Sequence, residues 1–269
     1  MEILNYFPEK KLSELFDFLG FVSIYEDRER TKNYFKMMEA ARKKFAGAVV
    51  VEAGAGFGEF TEKAVKMGAK KAYAVEINKY MHGVLAKKFA GSKHVKVVKK
   101  DITEFVPPGF HADVLIHDLF GPLMYDESLF ALGELKFDVA TVMPNGARVV
   151  MALLDSKKFT DEVVTPDVLG ELRGALVADL FEPYTGRYPY EVCSWSSSEG
   201  IKHSDISLAG KKGDLLVFCL EIYHDQKFVC SARESTNWPI VWTPRAGDRF
   251  RLRFKRDGIY CNPVFEWIE

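Results

Sequence analysis

The chain has 269 residues, a formal net charge of −1, 48 % hydrophobic residues and 28 % charged ones. That length holds one large domain or two small ones of ordinary globular composition. The near-neutral balance excludes polyanion binding as a consequence of overall charge, and no apolar run reaches the roughly 18 residues a membrane helix needs. The start, "MEILNYFPEKK", lacks a basic stretch followed by an apolar one, so no signal peptide is expected. Cys193, Cys219, Cys230 and Cys261 lie far apart without zinc or CxxC spacing, and are expected to be buried thiols in a reducing compartment. The expected location is cytoplasmic and/or nuclear, with no membrane or nucleic-acid partner and no metal. The lysine-rich "KKFAGSKHVKVVKK" reads as solvated surface.

The first 150 residues alternate strand and helix signals. "GAVVVEAG" is a short apolar run ended by glycine, which predicts a buried strand. "GEFTEKAVKMG" has apolar residues at helical spacing and stops at Gly68. "KKAYAVEI" predicts strand two, and "NKYMHGVLAKKFAG" a helix capped by Asn78. "HVKVVKKD" and "HADVLIHD" predict strands three and four. "ESLFALGELKFDVATVM" is expected to be helical, and "MPNGARVVMALL" to turn into strand five. Strands separated by helices imply a parallel sheet covered on both faces.

The second half is β-rich, broken by Gly, Pro, Asp and Asn. "GDLLVFCLEIYHD", "QKFVCSAR", "PIVWTPR" and "DRFRLRFKRDGIYCNPVFEWIE" predict antiparallel strands, and Asp257-Gly258 a hairpin turn. The expected fold class is therefore α/β, with a Rossmann-like parallel-sheet domain followed by an antiparallel β-barrel domain. The expected divisions are an N-terminal helical segment over 1–44, a Rossmann-like domain over 45–154, and a β domain over 155–269 with a short helical insertion at about 160–190.

Between strand one and its helix lies "VVVEAGAGFGEF", with Gly54, Gly56 and Gly58 at alternate positions. Glycine has no Cβ, so a ligand can approach the main chain there. A dinucleotide fingerprint would be GxGxxG, but position 59 is Glu59. The pattern is acidic-x-GxGxG from Glu52. A carboxylate at Glu52 suits a ligand that carries an ammonium and a sulfonium. Glu76, ending strand two, is placed to accept two hydrogen bonds from a ribose diol, a device that NAD sites share.

These residues resemble the class I S-adenosylmethionine-dependent methyltransferases, and more closely the protein arginine methyltransferases. "EDRERTKNYF" is similar to that family's cofactor-closing helix, with Asp27, Arg30 and Thr31 in its Asp-x-x-Arg-Thr positions. "GAKKAYAVE" resembles its second strand, "HDLFGPLMYDES" its double-acid hairpin, and "STNWP" its Thr-His-Trp loop. The likeness runs over roughly residues 20 to 269. It implies S-adenosylmethionine as cofactor, held by Arg30, Glu52, Gly54, Gly56, Gly58, Glu76, Ile102 and Thr103. It implies Asp118 and Glu127 as the catalytic acids, with Asn237 and Trp238 at the substrate. The implied substrate is a protein with arginine-rich segments, and the implied assembly a homodimer or a hetero-oligomer with a paralogue.

Two carboxylates suit an arginine because its guanidinium is a planar cation with a pKa above 12. They can fix one nitrogen in line with the methyl to be transferred. The chain departs from the family at Asp118, where glutamate is usual, at Asn237, where histidine is usual, and at Thr103, where an acid is usual. The family's Tyr-Phe-x-x-Tyr helix has no clear counterpart beyond Tyr6-Phe7. Two alternatives therefore stand beside the enzyme: a catalytically silent partner of an active paralogue, and a methyltransferase acting on RNA or a small molecule.

Overall fold

A computed structural model describes residues 19–258 and 260–268. Tyr6-Phe7 lies outside them. The chain divides into two compact units, one running to His117 and including Lys136–Thr141, the other comprising Asp118–Leu135 and the chain from Val142.

In the first unit, residues 19–26 are helical and Asp27 separates them from α1 (Arg28–Ala40). Then come β1 (Val49–Ala53), α2 (Glu59–Lys66), β2 (Lys71–Val75), α3 (Lys79–Lys88), β3 (Val95–Val98), β4 (His111–His117) and β5 (Asp138–Met143). The strand order is β3-β2-β1-β4-β5. β1 pairs parallel with β2 on one side and β4 on the other, with Val51 opposite both Tyr73 and Leu115. Successive connections therefore leave β1 in opposite directions, and the crevice beyond its carboxyl end is where open α/β sheets bind ligands. The unbroken apolar runs have their reason here: Val50, Val51, Ala72, Ala74 and Val114 are all buried, as strands covered on both faces must be. Asn78 caps α3 as expected, its Oδ1 accepting the Tyr80 and Met81 N–H groups at 2.9 and 3.2 Å.

One expected helix is corrected. In "ESLFALGELKFDVATVM" only Leu129–Glu134 winds, as a 3-10 turn, and Asp138–Met143 is the edge strand β5. Val139, Thr141 and Val142 are β-branched, which favours the extended chain over the helix.

The second unit contains β6 (Gly146–Leu154), α4 (Pro166–Glu171), β7 (Val177–Ala178), β8 (Tyr190–Ser196), β9 (Gly200–His203), β10 (Asp205–Ser207), β11 (Leu215–His224), β12 (Lys227–Ser231), β13 (Val241–Pro244), β14 (Arg249–Asp257) and β15 (Tyr260–Trp267). β6 was expected as strand five of the parallel sheet. It lies instead inside an antiparallel sheet of order β7-β13-β11-β6-β8-β9, with β12 also on β11. Nine β6–β11 residue pairs, from Leu154↔Leu215 to Gly146↔Tyr223, hold it there. A second sheet has the order β10-β14-β15. Phe218 of β11 meets Phe250 of β14 and Phe265 of β15 edge-on at 5.9 and 6.0 Å, which packs the two sheets face to face. Among the described residues the strand pairs make these two sheets and no closed ring. The four cysteines are buried thiols, as expected.

Candidate active site

The three glycines after β1 all have left-handed backbone, with φ of 66° at Gly54, 50° at Gly56 and 69° at Gly58. A Cβ at Gly58, the cap of α2, would stand 2.7 Å from the side chains of both Leu85 and Phe89, so this glycine lets α2 pack against α3. A Cβ at Gly56 would meet nothing within 4 Å, so Gly56 borders open space. The two positions thus need glycine for different reasons.

Glu52 and Glu76 are both 4 % exposed. Glu52 Oε2 accepts the Thr61 N–H at 2.7 Å and also the Thr61 hydroxyl. It thereby satisfies an otherwise orphan donor in the first turn of α2. Burial pushes the Glu52 carboxyl up to about 8. The expected contact to a ligand ammonium thus competes with a structural bond already made. Glu76 Oε2 accepts the Gly56 N–H at 2.9 Å and Oε1 accepts the Asn78 N–H at 2.7 Å. Burial raises this carboxyl above the usual carboxylate range.

Asp27 caps α1 by accepting the Arg30 N–H at 3.2 Å. The Arg30 side chain is 4 % exposed, donates from Nη2 to the Ile24 carbonyl at 3.0 Å, and has Nε 3.8 Å from Asp27 Oδ2. After β3, Asp101 Oδ1 accepts both the N–H and the hydroxyl of Thr103 at 2.8 Å, and Ile102 is buried. Thr103 itself therefore presents a hydroxyl already donated.

In the second unit, Asp118 opens a segment that doubles back. The Met124 N–H donates to the Gly121 carbonyl at 2.8 Å, the two residues form an antiparallel bridge, and Met124 has φ of 74°. Asp118 precedes this turn and is half-buried; Glu127 follows it and is exposed. His117 is fully buried in β4. The loop at 235–238 is brought to the same turn: Trp238, 3 % exposed, donates from Nε1 to the Phe120 carbonyl at 3.0 Å, across 118 positions of sequence. Ser235 Oγ shapes that loop by accepting the Asn237 and Trp238 N–H groups, each at 3.1 Å. From the other side, Phe254 of β14 rests on Tyr125 at 5.7 Å, and the Arg256 guanidinium lies 4.3 Å from the Phe130 ring centroid while pairing with Glu134. The stretch from Asp118 to Glu134 is thus held by groups from two distant stretches, the 235–238 loop and β14.

Sequence reasoning passed over Asp126, which lies beside Glu127. Its Oδ1 accepts the Leu123 N–H at 2.9 Å, and burial pushes its carboxyl up to about 6. The available signal was Gly121, five residues earlier. A Cβ there would stand 2.3 Å from Asp126 Oδ1, so the loop tolerates only glycine as built. Also unforeseen was Glu221, 8 % exposed, which takes the Arg148 Nε–H at 2.9 Å and the Tyr223 hydroxyl at 2.6 Å.

Comparison with known structures places the architecture. A PRMT6–SAH crystal structure superposes over 91 % of this chain and 98 % of that one, with a TM-score of 0.65 and 14 % identity. The fold is that of the protein arginine methyltransferases. A Trypanosoma brucei PRMT1 enzyme-prozyme heterotetrameric complex with AdoHcy superposes on this methyltransferase fold with a TM-score of 0.63 and 14 % identity, over 91 % of this chain and 93 % of that one. By sequence, a probable histone-arginine methyltransferase 1.4 of Arabidopsis thaliana is 32 % identical over 127 residues, 46 % of this chain and 24 % of that protein. The matched stretches span between 20 % and 41 % of the length of the curated relatives. A family model, ribosomal RNA adenine dimethylase, matches residues 34–147.

Proposed function

We propose that the chain transfers a methyl group from S-adenosylmethionine to a guanidinium nitrogen of a protein arginine. The observation that carries this reading is the turn between Asp118 and Glu127, clasped by the Trp238 indole through the Phe120 carbonyl. The likeness in sequence and fold to arginine methyltransferases supports it. The cofactor supplies an electrophilic methyl on a sulfonium.

The residues of the first unit fit such a cofactor. Open space beside Gly56 lets a ligand meet the backbone, and Glu76, at the carboxyl end of β2, can exchange its Gly56 and Asn78 bonds for a ribose diol. Arg30, already oriented by Asp27 and Ile24, suits a carboxylate. In the second unit, Asp118 and Glu127 bind the substrate guanidinium by charge-assisted hydrogen bonds. The pair would keep positive charge on the nitrogens that do not react and leave the third as the nucleophile. With the cofactor bound, that nitrogen would take the methyl, leaving the old bonding pair on a thioether product, and would shed a proton. Asn237 stands where the family carries histidine and contributes a neutral amide beside the buried Trp238.

The family-model match covers the cofactor-binding stretch rather than the 235–238 loop, so it bears on the methyl donor more than on the acceptor. A second reading is a catalytically silent subunit paired with an active paralogue. Asp118 favours it, being one methylene shorter than glutamate, about 1.5 Å of reach. An enzyme–prozyme assembly among the structural neighbours favours it too. The test is Glu127→Gln. Under the enzyme reading it removes methylation of an arginine-rich peptide by at least about a hundredfold and leaves S-adenosylmethionine binding intact. Equal turnover in the variant refutes the arginine clasp. No turnover in the unaltered chain, with a stoichiometric complex on co-expression with a paralogue, favours the silent subunit.

A further inference from the structure

The acid beside Glu127 has a specific place in the hairpin. Asp126 Oδ1 receives the Leu123 N–H at 2.9 Å, while Gly121 and Met124 close the turn beneath it through the 2.8 Å bond from the Met124 N–H. The carboxyl lies where a Cβ of residue 121 would be, 2.3 Å from that position to Oδ1 and 2.7 Å to Cγ, and Glu127 Cγ is 3.1 Å from it. Asp126 and the stem of Glu127 thus pack onto the same bare glycine. The Tyr125 N–H adds a second tie from the same middle of the turn, donating to the Leu123 carbonyl at 2.9 Å.

We propose that Asp126 is a positioning residue for the guanidinium clasp: by gripping the Leu123 amide against Gly121, it fixes where the turn releases the chain and so where the Glu127 carboxylate stands. This rests on the arginine reading of the preceding subsection. Without Asp126, the Leu123 amide would lose that acceptor and the turn would hold residues 125–127 less tightly. Placing the Glu127 carboxylate would then draw more on the substrate, a cost that appears in binding. Burial raises the Asp126 carboxyl only to about 6, so at neutral pH it is chiefly the carboxylate, the stronger acceptor.

The experiment measures affinity for an arginine-rich peptide by calorimetry, with S-adenosylhomocysteine saturating, for the full chain and four variants. Asp126→Asn keeps an oxygen for the Leu123 amide and is expected to bind within about threefold of the parent; Asp126→Ala loses the acceptor and is expected to bind about tenfold more weakly or worse. Gly121→Ala should weaken binding in the parent but weaken it less when Asp126 is already alanine, because the clashing carboxyl is gone. S-adenosylhomocysteine affinity should stay level throughout, which separates a local effect from a failure to fold. Parent-like peptide affinity in Asp126→Ala overturns the proposal, as does an asparagine variant as weak as the alanine one. A parent chain that binds S-adenosylhomocysteine but no arginine peptide overturns the arginine reading itself, and this inference falls with it.

Discussion

Replacing Glu52 by glutamine tests whether the acid at the end of β1 is held neutral inside the first unit. The side chain is 4 % exposed, and burial lifts its carboxyl from an ordinary 4.5 to about 8. Below about pH 4.5 the folded and unfolded chains both carry the proton, and the term costs nothing. Between 4.5 and 8 the unfolded chain has lost the proton while the folded one keeps it, so stability falls as pH rises. At roughly 1.4 kcal/mol per pH unit, the whole interval makes about 5 kcal/mol, a large part of a typical domain stability. Glutamine never ionises, and its oxygen can still accept the Thr61 N–H and hydroxyl. The assay is urea unfolding followed by circular dichroism from pH 5 to 9. The parent should lose several kcal/mol more than Glu52→Gln across that range, and the variant should be the more stable at pH 9. Asp126 and Glu76 have raised carboxyls too, but both proteins share them, so their contribution cancels in the comparison. Parallel stability curves for the two proteins would refute the reasoning, because they would mean that Glu52 ionises as easily folded as unfolded.

Two further outcomes follow from single contacts. Gly58→Ala should destabilise the chain by about 2 kcal/mol or more, since φ of 69° and two side chains 2.7 Å from the new Cβ both oppose it, whereas Gly56→Ala, strained by φ of 50° but facing open space, should lose only about 1 kcal/mol and also lose cofactor affinity. Thermal melts and cofactor titration of the pair decide it; equal losses of stability would contradict the different surroundings of the two glycines. Trp238→Phe removes the donor to the Phe120 carbonyl and should cost about 1–3 kcal/mol, with peptide binding weakened before cofactor binding. Unaltered peptide affinity would show that the 235–238 loop does not support the acid hairpin.

Much of the parallel sheet was legible because its signals are local. An apolar run of four or five residues, a glycine where φ turns positive, and an asparagine at a helix start each act on their own neighbourhood, and β1, α2, β2 and α3 stand where those signals lie. Asp118 and Glu127 were singled out by resemblance to a family hairpin rather than by such local signals. Local signals failed where partners are remote. "DVATVM" follows a helical-looking stretch and becomes an edge strand by joining the first sheet, and "GARVVMALL" has the same apolar character but belongs to the other sheet, because β11, about 70 residues on, offers it nine partners.

The sequence by itself determined where the backbone turns left-handed after β1 and where the first strands end, since chirality and hydrophobic period operate within a few residues. Only the tertiary structure decided what those acids do: Glu52 closes on Thr61, Asp126 fills the room left by Gly121, and Trp238 reaches Phe120 across 118 positions. A hydrogen bond or a filled void depends on distance in space, and for residues so far apart in the chain that distance exists only once the sheets have packed.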